Sequence, residues 1–101
     1  MTIKKLLIAN RGEIASRIIL SAHDMGISCV AIYTEADASS PYVRQSDQAY
    51  KLTDSYLNAK EIIEIAKNSG ADAVHPGYGF LSENASFANQ VKKAGIKWVG
   101  P

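Results

Sequence analysis

Apolar residues fall in two kinds of stretch along this chain. Short continuous runs occur at KKLLIAN (4–10), SCVAIYT (28–34), ADAVH (71–75) and IKWVG (96–100). They lack strict alternation, the pattern of strands whose two faces are both covered by helices. A weaker run, QAYKL (48–52), reads as a further strand. Between the runs the apolar residues recur with helical period. Over 13–25, Ile14, Ala15, Ile18, Ile19 and Ala22 make one stripe; over 58–69, Ile62, Ile63 and Ala66 make another. A third helix is predicted over 84–94, with Ala88 and Val91 facing inward.

Polar residues mark the boundaries. Asn58 can cap the second helix, with Glu61 three residues on as in a capping box. Ser82 or Asn84 can cap the third, and Lys92 and Lys93 in its last turn suit the helix dipole. Each helix is followed by a glycine and then a strand, at Gly26, Gly70 and Gly95. Glycine turns a helix end through the left-handed conformation. Repetition of strand, helix, glycine and strand is the βαβ pattern of a parallel sheet. The fold class expected is therefore an open Rossmann-like α/β sheet flanked by helices. The segment 35–47 is the only loop-like stretch. Within it Ser40-Pro41 predicts a cap and first helical position for a short helix over 42–45.

Composition adds little but excludes much. The chain has 101 residues, enough for one domain, with 47% hydrophobic and 21% charged residues. A net charge of +1 implies no polyanionic partner. No apolar run approaches the ~20 residues that span a bilayer, and the first ten residues lack the long apolar stretch of a secretory signal. A cytoplasmic protein is the expectation. The one cysteine, Cys29, lies inside an apolar run and reads as a buried core thiol.

In open α/β sheets, sites gather at the carboxyl ends of the strands. The sequence NRGE (10–13) lies there but carries one glycine where a dinucleotide loop wants three, and Glu13 sets a negative charge where phosphate would sit. Asn10 and Arg11 read as fixing the strand-to-helix turn. Glu35 stands about where a ribose-binding acid would, a weak match alone. Arg17, beside the apolar stripe of the first helix, is a solvated arginine or an interface contact. The turn HPGYGFLSEN (75–84) is richer than a connector needs. Two glycines flank Tyr78, and Phe80 follows. That excess suggests a rigid wall against a ligand or a neighbouring domain. His75, ending a strand, reads as a structural histidine. No Walker loop, metal-ligand spacing, Cys-His or Ser-His pairing, or basic-aromatic stripe for nucleic acid is present, and no complete active site is discernible.

Taken together, ANRGEIASRI (9–18), AIYTEAD (31–37), SDQAY (46–50), SYLN (55–58), HPGYGFLSEN (75–84) and WVGP (98–101) resemble the N-terminal domain of biotin carboxylase, over the whole chain and in order. Biotin carboxylase opens the biotin-dependent carboxylases of acetyl-CoA, propionyl-CoA, pyruvate and urea type. The resemblance implies a pre-ATP-grasp domain within an ATP-dependent ligase. Such an enzyme activates bicarbonate with ATP and Mg²⁺ and carboxylates biotin held on a carrier protein. It also implies ATP-grasp and C-terminal domains beyond Pro101, the ATP-grasp unit supplying nucleotide, metal and base residues and leaving no catalytic or metal-binding residue in this chain. Tyr78 and Gly79 correspond to a wall on the biotin and bicarbonate side, and Arg17 to a homodimer contact. Leu20 stands where the family often has arginine, and KLTDSYLN (51–58) is shorter than the usual loop before SYLN. The expectation is that the isolated chain is inactive. The alternatives are a stand-alone nucleotide-binding domain, which NAD(P) would protect in a thermal shift, and an interaction module.

Overall fold

The computed structural model describes residues 2–101. Five parallel strands form one sheet: β1 (Lys5–Ile8), β2 (Ser28–Tyr33), β3 (Gln48–Lys51), β4 (Ala73–His75) and β5 (Lys97–Trp98). Four α-helices connect them: α1 (Gly12–Asp24), α2 (Pro41–Gln45), α3 (Ala59–Ser69) and α4 (Ala85–Lys93), with a 3₁₀ turn at Glu35–Asp37. The expected Rossmann-like parallel architecture is what the chain adopts.

The continuous apolar runs divide residue by residue between two cores. Leu6, Ile8, Cys29, Ala31 and Ala73 face the side covered by α1 and α2, meeting Ala15, Ile19, Ala22 and Tyr42. Leu7, Ala9, Val30, Ile32 and Val74 face the other side, meeting Ile62, Ala66, Phe87 and Val91 of α3 and α4. Burial on both faces explains why the strands show no alternation of polar and apolar residues. In α4 it is Phe87, not Ala88, that joins Val91 in the core; Ala88 is only partly buried. Phe87 packs edge-on to Trp98 of β5, with ring centroids 5.5 Å apart.

The predicted boundaries hold with small shifts. Asn58 and Asn84 cap α3 and α4, each side-chain oxygen accepting from the amide three residues on, at 3.1 and 2.9 Å. The capping box at α3 is half formed, because the Glu61 carboxylate accepts from the Thr53 amide and hydroxyl instead. Gly26, Gly70 and Gly95 all take positive φ after their helices. No helix among the described residues is long and apolar enough to cross a membrane.

The strand order is β3-β2-β1-β4-β5. The chain builds outward from β1 in one direction, then returns to lay β4 on its other side. The carboxyl ends of β1 and β4 therefore flank the switch point, where loops diverge and leave a crevice. Asn10 follows one of these strands and the His75–Phe80 turn follows the other.

Candidate functional site at the carboxyl edge of the sheet

Asn10 is 1% exposed, and its amide spans the switch point. Its Nδ2 donates to the carbonyls of Pro76 at 2.8 Å and Tyr78 at 2.6 Å, while its Oδ1 accepts from the Arg11 amide at 2.8 Å. The expected role in the strand-to-helix turn is only the smaller part of its work. The larger part is to clamp the glycine-rich turn onto the end of β1. Burying a primary amide demands that both its donors and its acceptor be used, and here they are.

That clamp explains Gly77. A Cβ there would lie 2.7 Å from Asn10 Nδ2 and 3.0 Å from Ile14 Cγ2, and φ is +66°. No residue with a side chain fits so close to the clamp. Gly79 differs: nothing lies within 4 Å of its would-be Cβ, and only its φ of +69° calls for glycine. Phe80 also takes positive φ, at 46°, and its ring rests on Tyr56 with centroids 5.4 Å apart. The turn is thus pinned by Asn10 on one side and stacked on Tyr56 on the other. Of the two aromatics expected to form a flat wall, Phe80 leans on Tyr56 while staying 45% exposed, and Tyr78 stands outward, 78% exposed.

His75 Nδ1 accepts from the Gly77 amide at 3.0 Å, so the ring carries its proton on Nε2. Burial lowers its pKa below the usual histidine range. It is a structural histidine of the turn.

Next to this turn lies a network that sequence reading missed. The Arg11 guanidinium pairs bidentately with Asp37, both contacts at 2.6 Å. Tyr56 donates to the same carboxylate at 2.5 Å, Tyr42 and Tyr56 share a hydroxyl contact at 2.9 Å, and Tyr42 donates to the Ile32 carbonyl. Asp37 is 3% exposed. The Arg11 hydrogen bonds, helped by Tyr56, hold its pKa down at about 2 against the opposing effect of burial. Glu35, the candidate ribose acid, is solvent-facing and paired with Lys51. The buried acid at the end of β2 is Asp37, and it is occupied. Asp37 stands in the loop-like segment of the sequence, and nothing local marks it as buried or names Arg11 as its partner.

Tyr78, Gly77 and His75 also line one wall of an apolar groove of about 690 Å³; Ile14, Arg17 and Ile18 of α1 line another. The fold brings Arg17 and Tyr78 to a single groove, although the sequence offered them for separate surfaces. Gly79 lies outside the groove lining, on the exposed crest of the turn.

This is an open parallel α/β domain with an exposed turn, held by Asn10, at the switch point of its sheet. The family model for the biotin carboxylase N-terminal domain matches residues 2–101, and the chain belongs to that family. It is 51% identical to biotin carboxylase 1 of Bacillus subtilis over 104 residues, covering 98% of this chain and 23% of that protein. It superposes on the biotin carboxylase subunit of a pyruvate carboxylase with a TM-score of 0.95 at 50% identity, covering 99% of this chain and 23% of that one. A third likeness is to the biotin carboxylase domain dimer of Hydrogenobacter thermophilus 2-oxoglutarate carboxylase, solved with MgADP, ADP and bicarbonate. There the TM-score is 0.96 at 45% identity, over 100% of this chain and 23% of the other. The chain thus spans about a quarter of the length of these relatives.

Proposed function

We propose that this chain is the first domain of an ATP-dependent biotin carboxylase and lends a rigid wall to an active site completed by other parts of the polypeptide. The single observation that carries the reading is the clamped turn. Asn10 holds the Pro76 and Tyr78 carbonyls at the switch point, so Tyr78 projects from a backbone with little freedom to move. An exposed aromatic on a fixed backbone suits the apolar ring of biotin, and the groups of Gly79 lie beside it. Carboxyphosphate hydrolyses easily, and a wall that excludes water and holds biotin near it serves the chemistry.

The residues here do not fit ATP or Mg²⁺. Glu13 lies in the first turn of α1, where phosphate would need the helix amides, and Asp37 is already paired with Arg11. In this reading both belong to an ATP-grasp domain following Pro101, and this chain has no catalytic residue of its own. The Hydrogenobacter biotin carboxylase domain, solved with MgADP, ADP and bicarbonate, supports use of these ligands by the parent enzyme. The carboxyl acceptor is biotin on a carrier protein. The parent is a homodimer in the cytoplasm, with exposed Arg17 on α1 at the subunit contact; the dimeric Hydrogenobacter relative supports the pairing.

Steady-state kinetics of the full polypeptide test the proposal. Tyr78→Ala is expected to raise KM for biotin about tenfold, the equivalent of ~1.4 kcal/mol of lost contact. KM for ATP should stay where it was. A variant impaired only toward ATP would overturn the assignment of Tyr78, and biotin-dependent ATP cleavage by residues 1–101 alone would overturn the division of labour.

A further inference from the structure

We propose that His23, Cys29 and Asp47 form a binding site for a zinc-type divalent cation at the amino edge of the sheet, the end opposite the glycine-rich turn. Three elements converge there: the last turn of α1, the start of β2, and the residue just before β3. Their candidate donor atoms all lie within 4.8 Å of one another. His23 Nε2 and Asp47 Oδ2 are 2.8 Å apart, and the Cys29 amide holds the same Oδ2 at 2.7 Å, fixing the carboxylate beside the imidazole.

Donor chemistry selects the ion. Thiolate with imidazole suits Zn²⁺ or Co²⁺ and excludes the hard cations Mg²⁺ and Ca²⁺. Bonds of about 2.3 Å to sulfur and 2.0 Å to nitrogen and oxygen put tetrahedral donors roughly 3.5 Å apart. The His23–Asp47 pair needs to open by under about 1 Å, and the sulfur to close by up to about 1.3 Å. Both surface side chains can move that far, with 39% and 48% of their area exposed. The ion would take the place of the hydrogen between His23 and Asp47, the neutral imidazole then carrying its proton on Nδ1 and binding through Nε2. Its bond to sulfur forms as the S–H bond breaks and the proton leaves to water. One thiolate and one carboxylate then neutralise the dication, with imidazole third and water fourth.

The bare cluster does not serve as a nucleophilic triad. Cys29 is fully buried, its only hydrogen-bond acceptor is the Ile27 carbonyl at a long 3.9 Å, and burial beside Asp47 pushes the thiol up to about 11. A thiol with so weak a partner gains a strong one in the cation. The site would join α1, β2 and the β3 edge, acting as a staple on the fold.

Co²⁺ titration of this chain in the presence of a non-thiol reductant tests the proposal. Because Cys29 is the only cysteine, any thiolate-to-cobalt charge-transfer band reports this site. The expected result is a band that saturates at a single equivalent and is bleached by Zn²⁺. His23→Ala, at an exposed position, should weaken Co²⁺ binding by at least about tenfold. Zn²⁺ should raise the Tm of the wild type and not of Cys29→Ala. No charge-transfer band at large excess of Co²⁺, or undiminished binding by His23→Ala, would overturn the site.

Discussion

The Asn10 side chain donates 2.6 Å to the carbonyl of Tyr78, sixty-eight residues away in sequence. One amide thereby joins the first strand-to-helix turn to the crest of the fourth. The geometry of the proposed biotin wall is set by a side chain that is itself buried and touches no solvent.

Replacing that amide tests how much it holds. Asn10→Ala leaves the buried Pro76 carbonyl and the Tyr78 carbonyl without a donor, at a cost of about 1–3 kcal/mol for each group left unsatisfied. Asn10→Asp keeps the shape but removes the donor and should be at least as harmful. Urea denaturation measures both. In the full enzyme, KM for biotin should rise in Asn10→Ala as it does in Tyr78→Ala.

The two glycines of the turn should differ. Gly79→Ala meets open space and carries only the left-handed backbone cost, about 1–2 kcal/mol. Gly77→Ala carries the same cost and also drives a methyl group into Asn10 and Ile14. Thermal unfolding should show a clearly larger fall in Tm for Gly77→Ala. Equal losses would mean that the approach to Asn10 relaxes freely.

Asp37 gives the fold an acid-sensitive joint. Its folded pKa, at about 2, lies below the unfolded value, so its contribution is complete above about pH 4. That stability is lost as pH falls through about 4 toward 2, since the unfolded chain takes up the proton first. With Arg11 half exposed and screened, the increment is about 1–2 kcal/mol. Asp37→Asn should lose it at neutral pH and flatten the profile below pH 4. Tyr56→Phe, which removes one hydrogen bond to the carboxylate, should do so in part.

His75 works in a higher window. Its folded pKa is depressed, so the neutral ring is favoured in the native state and the unfolded chain binds the proton first. Stability should fall as pH drops below about 6.5, the value of an unperturbed histidine, because burial disfavours the charged ring and protonation also turns Nδ1 into a donor facing the Gly77 amide. An NMR titration of the ring should give a midpoint below 6.5. A midpoint at or above that value would remove His75 from its place as acceptor of the turn.

Elements with a local signature are legible in the amino-acid sequence. Asn58 and Asn84 cap their helices, the glycines after the helices turn them, and the apolar runs of β1, β2 and β4 are buried on both faces. The turn at 75–84 stands out because its glycines have no local cause. For Gly77 the cause is Asn10, far away in the chain. Other constellations stay hidden. Arg11 and Asp37 are separated by 26 positions, His23 and Asp47 by 24. No spacing rule links such pairs, so the sequence shows neither the buried acid nor the proposed cation site. Phe80 reads as part of an outward wall and is exposed, but its contact with the Tyr56 ring has no local signal.

The amino-acid sequence by itself determined the strands, the helices, their parallel arrangement and the family. Each of these follows from the period of apolar residues and from motifs only a few residues long. The tertiary structure decided what meets at the two edges of the sheet. Placing β4 beside β1 rather than beside β3 brings Asn10 to the turn, and laying β3 outside β2 brings Asp47 to Cys29. Strand order is a property of the whole packed sheet. The apolar pattern states only that a strand is buried, and every buried strand looks alike to it.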